Sequence, residues 1–178
     1  MIPQLTIAAT LTFVALCVAS DLQTRRIPNL LSGLGMLVGI AINTLYFGHD
    51  GLLASIGGLL TAIAVLLFPF AMGGVGGGDV KMMGAIGALL GPRTTLVALL
   101  IGMALGGAVM AIHLARLGRL RQTLWTAATM AASSVMGGSL EPLRVSAERP
   151  GTITLPYSVP LGLGTLAMLA LSGSLALS

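Results

Sequence analysis

Long apolar runs separated by short polar breaks organise the 178 residues. The first run covers about residues 3–20, "PQLTIAATLTFVALCVAS", and gives way to the break "DLQTRRIPN". Pro28 in that break suits the first turn of a following helix, where its missing N–H would have no partner anyway. A second run reaches about Phe47, "GHDG" makes a turn, and a third run covers about residues 51–72 with Pro69 bending its last turn. The stretch "GGVGGGD" then interrupts the pattern, since each glycine costs a helix about 1 kcal/mol relative to alanine. "VKMMGAIGALLG", closed by Pro92, is short for a crossing at about 1.5 Å per residue. It predicts a short or half-sunk helix entered through the glycine loop. A fifth run spans about 94–115, a polar segment with five arginines and two glutamates follows over 116–153, and a sixth run covers about 155–176.

These runs are unbroken stretches of Leu, Ala, Gly, Met, Val and Ile, not alternating ones, which predicts helices and not the strands of a membrane barrel. Composition agrees. The chain is 56% hydrophobic and 8% charged, with a mean hydropathy of +1.00, where a soluble domain carries roughly 25% charged residues. The expected fold is all-α: one polytopic membrane domain over residues 1–178 with about six transmembrane helices. Nothing before Asp21 is charged and the first run outlasts a short signal-peptide core, so a retained span is expected there. Small residues four apart (Gly35 and Gly39, Gly87 and Gly91, Gly102 and Gly106) mark faces for close helix packing in lipid.

Charge adds an orientation. The breaks after the first, third and fifth runs hold eight of the Lys and Arg residues: Arg25, Arg26, Lys81, Arg116, Arg119, Arg121, Arg144 and Arg149. The opposite side holds only Arg93. By the positive-inside rule those three breaks, the 116–153 segment among them, face the cytoplasm and both termini face outward. The net charge of +4 therefore reports topology and calls for no nucleic-acid partner. Cys17 is the single cysteine, which leaves no internal disulfide and no cysteine-cluster metal site; in an apolar helix it packs as a small hydrophobe.

Five acids are present: Asp21, Asp50, Asp79, Glu141 and Glu148. Asp21 ends the first run and Asp79 opens the fourth element, so both fall on the cytoplasmic boundary. Asp79 also fits a helix cap, its carboxylate taking backbone N–H bonds where the dipole favours negative charge. Asp21 fits a structural role less well, because a helix C-terminus disfavours an anion; pairing with Arg25 is the plain alternative. Ionisable groups at this depth are costly and point to function. Two neighbouring carboxylates that share a proton can hold a water, one as base and the other as the acid that polarises a carbonyl, as in aspartic proteolysis. Glycines beside them let an extended substrate approach, or allow a positive-φ backbone. Lys81 either biases Asp79's titration or anchors its helix at the headgroups.

Three segments then resemble the type IV prepilin peptidases, membrane aspartic proteases of the GxGD kind. "SDLQTRRIPN" is similar to that family's first-aspartate segment, with a basic stretch and Ile-Pro-Asn after the acid. "GGGDVKMMGAIGALLG" resembles its Gly-x-Gly-Asp-(Val/Ile)-Lys segment, with Gly76, Gly78, Asp79 and Lys81 at the matching positions. "LPYSVPLGLG" resembles the Pro-rich entry to its last helix. The resemblance implies that Asp21 and Asp79 are the catalytic pair, supported by Gly76, Gly78 and Lys81. It implies an aspartic endopeptidase that removes a short basic leader from a pilin or pseudopilin precursor at the cytoplasmic face of the inner membrane.

No metal or cofactor is expected. Larger members carry a cytoplasmic region before the first aspartate and methylate the new N-terminus. Only 20 residues precede Asp21 here, which is similar to the short TadV/CpaA-like form of tight-adherence (Flp) pilus systems and predicts no methyltransferase activity. The rival reading is a non-enzymatic transporter or pilus-assembly scaffold that uses the two aspartates to bind an ion. His49 and His113 read as interfacial residues, and Arg116, Arg119 and Arg121 as headgroup anchors.

Overall fold

The structure, a computed structural model, describes residues 3–71, 74–118, 121, 125 and 157–175. Every regular element among them is a helix: α1 (Gln4–Thr24), α2 (Asn29–Ala71), α3 (Gly77–Leu90), α4 (Pro92–Arg116) and α5 (Ser158–Leu175). Most of the 116–153 segment lies outside the described residues.

Three of these helices are long and apolar enough to cross a membrane: α1, α2 and α4. Their outward faces carry large apolar side chains, among them Leu45 at 85% exposure and Phe68 at 67%. Such faces belong against lipid. The all-α membrane bundle expected from the runs is the architecture observed.

α2 has 43 residues, but Gly48 breaks its helical geometry with φ 60° and ψ −135°. A straight helix would place Asn43 and Ser55 about 18 Å apart. Here the Asn43 amide donates to the Ser55 hydroxyl at 2.9 Å, so α2 is a hairpin whose arms, 29–47 and 49–71, correspond to the second and third runs. Gly48 occupies the left-handed half of φ space that glycine enters at least cost.

α3 departs from the expectation in two ways. It is 14 residues long, about 21 Å, and too short to be a crossing in its own right. Yet it is not a peripheral half-sunk helix: every residue from Met82 to Leu90 is buried, and α3 touches all four other helices. Its dense Gly, Ala and Met content lets neighbours close on it from every side. The glycine stretch is also less of a break than its composition implied. Gly77 and Gly78 already belong to the first turn of α3, because the Asp79 carboxylate reaches back to the Gly76 N–H at 3.2 Å and offsets the glycines' poor propensity.

Burying α3 leaves its last carbonyls without water, and a helix end of that kind needs a donor. Asn43 supplies it, with its amide nitrogen 2.9 Å from the Ala88 oxygen and 3.0 Å from that of Leu89. The backbones approach closely where glycines meet. A Cβ on Gly39 would lie 2.7 Å from the Ala88 carbonyl carbon, and one on Gly58 would strike the Gly87 carbonyl. Gly102 and Gly106 similarly admit Leu161, Pro160 and Tyr157 of the α5 end. Close packing at Gly35, Gly39, Gly87, Gly102 and Gly106 is what the four-residue spacings predicted, whereas Gly91 serves the turn instead, with φ 76° and only Ala54 at 3.8 Å from a Cβ there. Gly58→Ala should therefore overpack the bundle by about 1–3 kcal/mol. The expected result is a lower Tm in detergent with unchanged turnover per folded molecule; an unshifted Tm would show that the arms separate freely there.

These contacts also order the ends of the bundle. The first arm of α2 runs parallel to α3, since Ile27 lies by Gly78 and Gly39 by Ala88. α1 and α5 are antiparallel, with Asp21 against Ser158 and Val14 and Val18 against Gly162. One end therefore collects the C-terminus of α1 and the N-termini of α2, α3 and α5. Gly48 and Gly91 turn the chain at the other.

Candidate active site

Asp79 is the third residue of α3 and only 8% exposed. Its Oδ2 accepts the Gly76 N–H, and the peptide dipoles of α3 point their positive end at it. It lies at the mouth of α3, outside the membrane-spanning segments. Burial pushes its carboxyl up from 3.8 to about 6, the Gly76 N–H opposes that rise, and the charge of Asp21 adds to it. The structure thus brings Asp21 within electrostatic reach of Asp79, although it lies 58 positions away in sequence.

Asp21 is half-buried in the last turn of α1. The chain leaves α1 through Arg25, which adopts a left-handed conformation (φ 52°) and donates its N–H to the Asp21 carbonyl at 2.8 Å. The Ser20 and Thr24 hydroxyls each bond the Arg26 carbonyl at 3.0 Å. That fastening lays Ile27, itself buried, against the first turn of α3. The negative end of α1 is a poor place for an anion, as its sequence position implied. The compensation comes from elsewhere: the Ser158 hydroxyl, at the N-terminus of α5, donates to Asp21 Oδ2. Both carboxylates consequently face a helix N-terminus, Asp79 that of α3 and Asp21 that of α5.

The supporting residues occupy distinct positions. Gly76 is exposed and extended, with φ −76° and ψ 151°, and a Cβ there would sit 3.2 Å from Asp79 Oδ2. A Cβ on Gly77 would lie 3.5 Å from the Phe70 ring, and one on Gly78 3.5 Å from Ile27. Neither Gly76 nor Gly78 has a positive φ; among the described glycines that geometry belongs to Gly48, Gly91 and Gly118. Room beside the Asp79 carboxylate, and not a left-handed backbone, is therefore what Gly76 provides, whereas a Cβ on Gly78 would make an ordinary contact with Ile27.

Lys81 is exposed and donates to the Asn29 side chain at 2.8 Å. That bond ties the Ile-Pro-Asn segment to the Gly-x-Gly-Asp segment, a role beside those of headgroup anchor or influence on Asp79. Asn29 and Ser158 were not singled out by sequence reasoning. The available signal was topological: both open helices on the side where Asp21 and Asp79 emerge.

The remaining polar residues stand apart. Asp50 and His49 are exposed beside the Gly48 turn, at the far end from the carboxylate pair. His113 belongs to the last turn of α4. Cys17 is fully buried in the apolar core.

A bundle of long apolar helices with two aspartates drawn to the same end defines an integral membrane protein of the all-helical class. The profile of the type IV leader peptidase family matches residues 8–112. That is more than half of the chain, and the protein belongs to this family. Both aspartates, the glycine loop, Lys81 and Asn29 fall inside the matched stretch; α5 and Ser158 lie beyond it. No curated protein and no solved structure matched.

Proposed function

We propose that the chain is an aspartic prepilin leader peptidase in which Asp21 and Asp79 form the catalytic pair. The observation that carries this reading is the burial of the Asp79 carboxyl in the first turn of α3, at the same end of the bundle as Asp21, whose charge adds to the upward push of burial on it. Membership of the leader peptidase family supplies the reaction class. The two groups then divide the work: Asp79 holds the shared proton and Asp21 accepts one. A water between them attacks the scissile carbonyl carbon, giving its proton to Asp21 while Asp79 donates to the carbonyl oxygen. As the C–N bond of the tetrahedral intermediate breaks, Asp21 gives its proton to the departing amine and a gem-diol hydroxyl gives its proton to Asp79, which returns the pair to its starting state.

The substrate under this reading is a pilin or pseudopilin precursor, Flp-type by the short-form resemblance, with a basic leader and an apolar helix. Arg25, Arg26 and Lys81 surround the carboxylate end while Arg93 sits beside the turn at the other end. That asymmetry supports a cytoplasmic active site in the inner membrane.

The purified protein in detergent should cut a synthetic precursor segment at one peptide bond, as identified by mass spectrometry. The pH profile carries the sign of Asp79's shift. A group raised to about 6 keeps its proton below that value and loses it above. kcat/KM should therefore fall as pH rises through about 6, whereas an ordinary aspartate would place that limb near 4. Because the two groups interact, the limb belongs to the pair. An uncut precursor at every pH would favour an ion-binding or scaffold role. Cleavage with no alkaline limb up to pH 9 would remove Asp79 as the proton holder.

A further inference from the structure

We propose that Ser158 is a positioning residue of the catalytic pair, orienting the Asp21 carboxylate through its hydroxyl. The inference rests on the reading of Asp21 given above and adds to it a residue of α5, beyond the stretch that matches the family's profile.

Ser158 is wholly buried. A hydroxyl in that position costs free energy unless its proton finds an acceptor. Its acceptor is Asp21 Oδ2, 137 positions away in sequence. The placement follows from how α5 enters the bundle. The Leu161 N–H bonds the Tyr157 carbonyl at 3.1 Å, which starts the helix at Ser158. Gly162, one turn on, has no side chain, so α5 settles where a Cβ would be 3.1 Å from Val14 and 3.2 Å from Val18 of α1. Gly164 lets the other side of α5 press on α4, where a Cβ would be 2.6 Å from the Ala98 carbonyl oxygen. The register of α5 against α1 is thus set by packing on two sides, and Ser158 arrives at Asp21 as a consequence.

A carboxylate on a helix end rotates about its terminal torsion unless an oxygen is held. Ser158 holds Oδ2, which turns Oδ1 to the side where it can receive the water's proton. The bond that Arg25 makes to Asp21 runs through the backbone, N–H to carbonyl, and leaves the carboxylate's orientation to Ser158. In acid–base catalysis a misplacement of about 1 Å can cost about 100-fold in rate. Ser158 itself takes no part in bond making. Its loss should reduce the fraction of time that Oδ1 faces the water, and so slow turnover without weakening precursor binding.

The test compares Ser158→Ala, Ser158→Gly and Ser158→Thr with the unaltered protein on a synthetic precursor segment, with kcat normalised to folded protein. Ser158→Ala and Ser158→Gly, which lack the hydroxyl, should lower kcat by about 10–100-fold and leave KM within about twofold. Ser158→Thr keeps the hydroxyl and should recover most of kcat, a rescue that a purely structural role would not give. Unchanged kcat in both Ser158→Ala and Ser158→Gly would overturn the proposal. So would a rise in KM alone, or a kcat loss shared equally by Ser158→Thr with no change in Tm. Asp21→Asn, run alongside, separates the two levels of inference. If Asp21→Asn still cuts, the catalytic pair itself is wrong. If Asp21→Asn is dead and Ser158→Ala is normal, only the role of Ser158 fails.

Discussion

Asp21→Asn and Asp79→Asn should each leave a protein that inserts and folds normally yet cuts no precursor. The amide is nearly isosteric with the carboxylate, so packing around either site is preserved. What it lacks is the ability to exchange a proton. An Asn at position 21 cannot take the water's proton, and an Asn at position 79 cannot pass one to the scissile carbonyl. General acid–base groups each contribute about 10²–10⁴-fold, and here neither group stands in for the other, so the loss should lie at the upper end of that range. At Asp79 the substitution also removes a group that must be neutral to be buried cheaply, and thermal stability should hold or rise slightly. Asp50→Asn is the internal control, since Asp50 sits by the Gly48 turn at the far end of the bundle. Cleavage at the unaltered rate by either site variant, read on a gel with purified protein, would end the two-aspartate mechanism.

Much of the framework could be read directly from the chain. The apolar runs mark α1, the two arms of α2 and α4 because lipid imposes the same demand on every crossing, about 20 residues without free charge, and the last run marks the shorter apolar α5. The turns at Gly48 and Gly91 were legible for a related reason, since glycine and proline punctuate where a left-handed or donor-free residue is needed. The pairing of Asp21 with Asp79 followed from topology, because the parity of crossings decides which ends share a side.

Contacts between elements were not legible. Composition makes "GGVGGGD" a loop, but α3 begins at Gly77 because a tertiary environment and the Asp79 carboxylate override glycine's propensity. Asn43 looks like one polar residue in an apolar run; its purpose emerges only when the carbonyls of Ala88 and Leu89 arrive beside it. Ser158 is hidden for the same reason, because one hydroxyl in a Pro-rich helix entry has no periodicity to betray it. Side chains that act on a partner 45 or 137 positions away leave no local pattern.

A valine scan across the three glycines before Asp79 should separate access from packing, and Gly76→Val should be the most damaging. The backbone there is no obstacle, because φ −76° and ψ 151° suit a β-branched residue. The obstacle is the carboxylate: the Cβ alone would lie 3.2 Å from Asp79 Oδ2, and the two γ-methyls would press further. Either Asp79 rotates away from its Gly76 N–H partner or the loop lifts from α3. Both outcomes displace the proton-holding oxygen, so kcat/KM should fall by about 100-fold or more. Folding should suffer little, because Gly76 is exposed. Gly78→Val acts on something else. Its methyls meet Ile27, so the damage should divide between a lower Tm and a smaller loss of activity as the Ile-Pro-Asn segment shifts. Gly77→Val meets one edge atom of the Phe70 ring, where a Cβ on Gly78 already meets three atoms of Ile27 at 3.5–3.7 Å, and so should cost a few-fold at most. The order Gly76, Gly78, Gly77, measured as cleavage per folded molecule, would show that the glycines exist to leave room at Asp79 and at the segment beside it. Equal, mild losses at all three sites would make the stretch a mere connector and leave the carboxylate's place behind it unexplained.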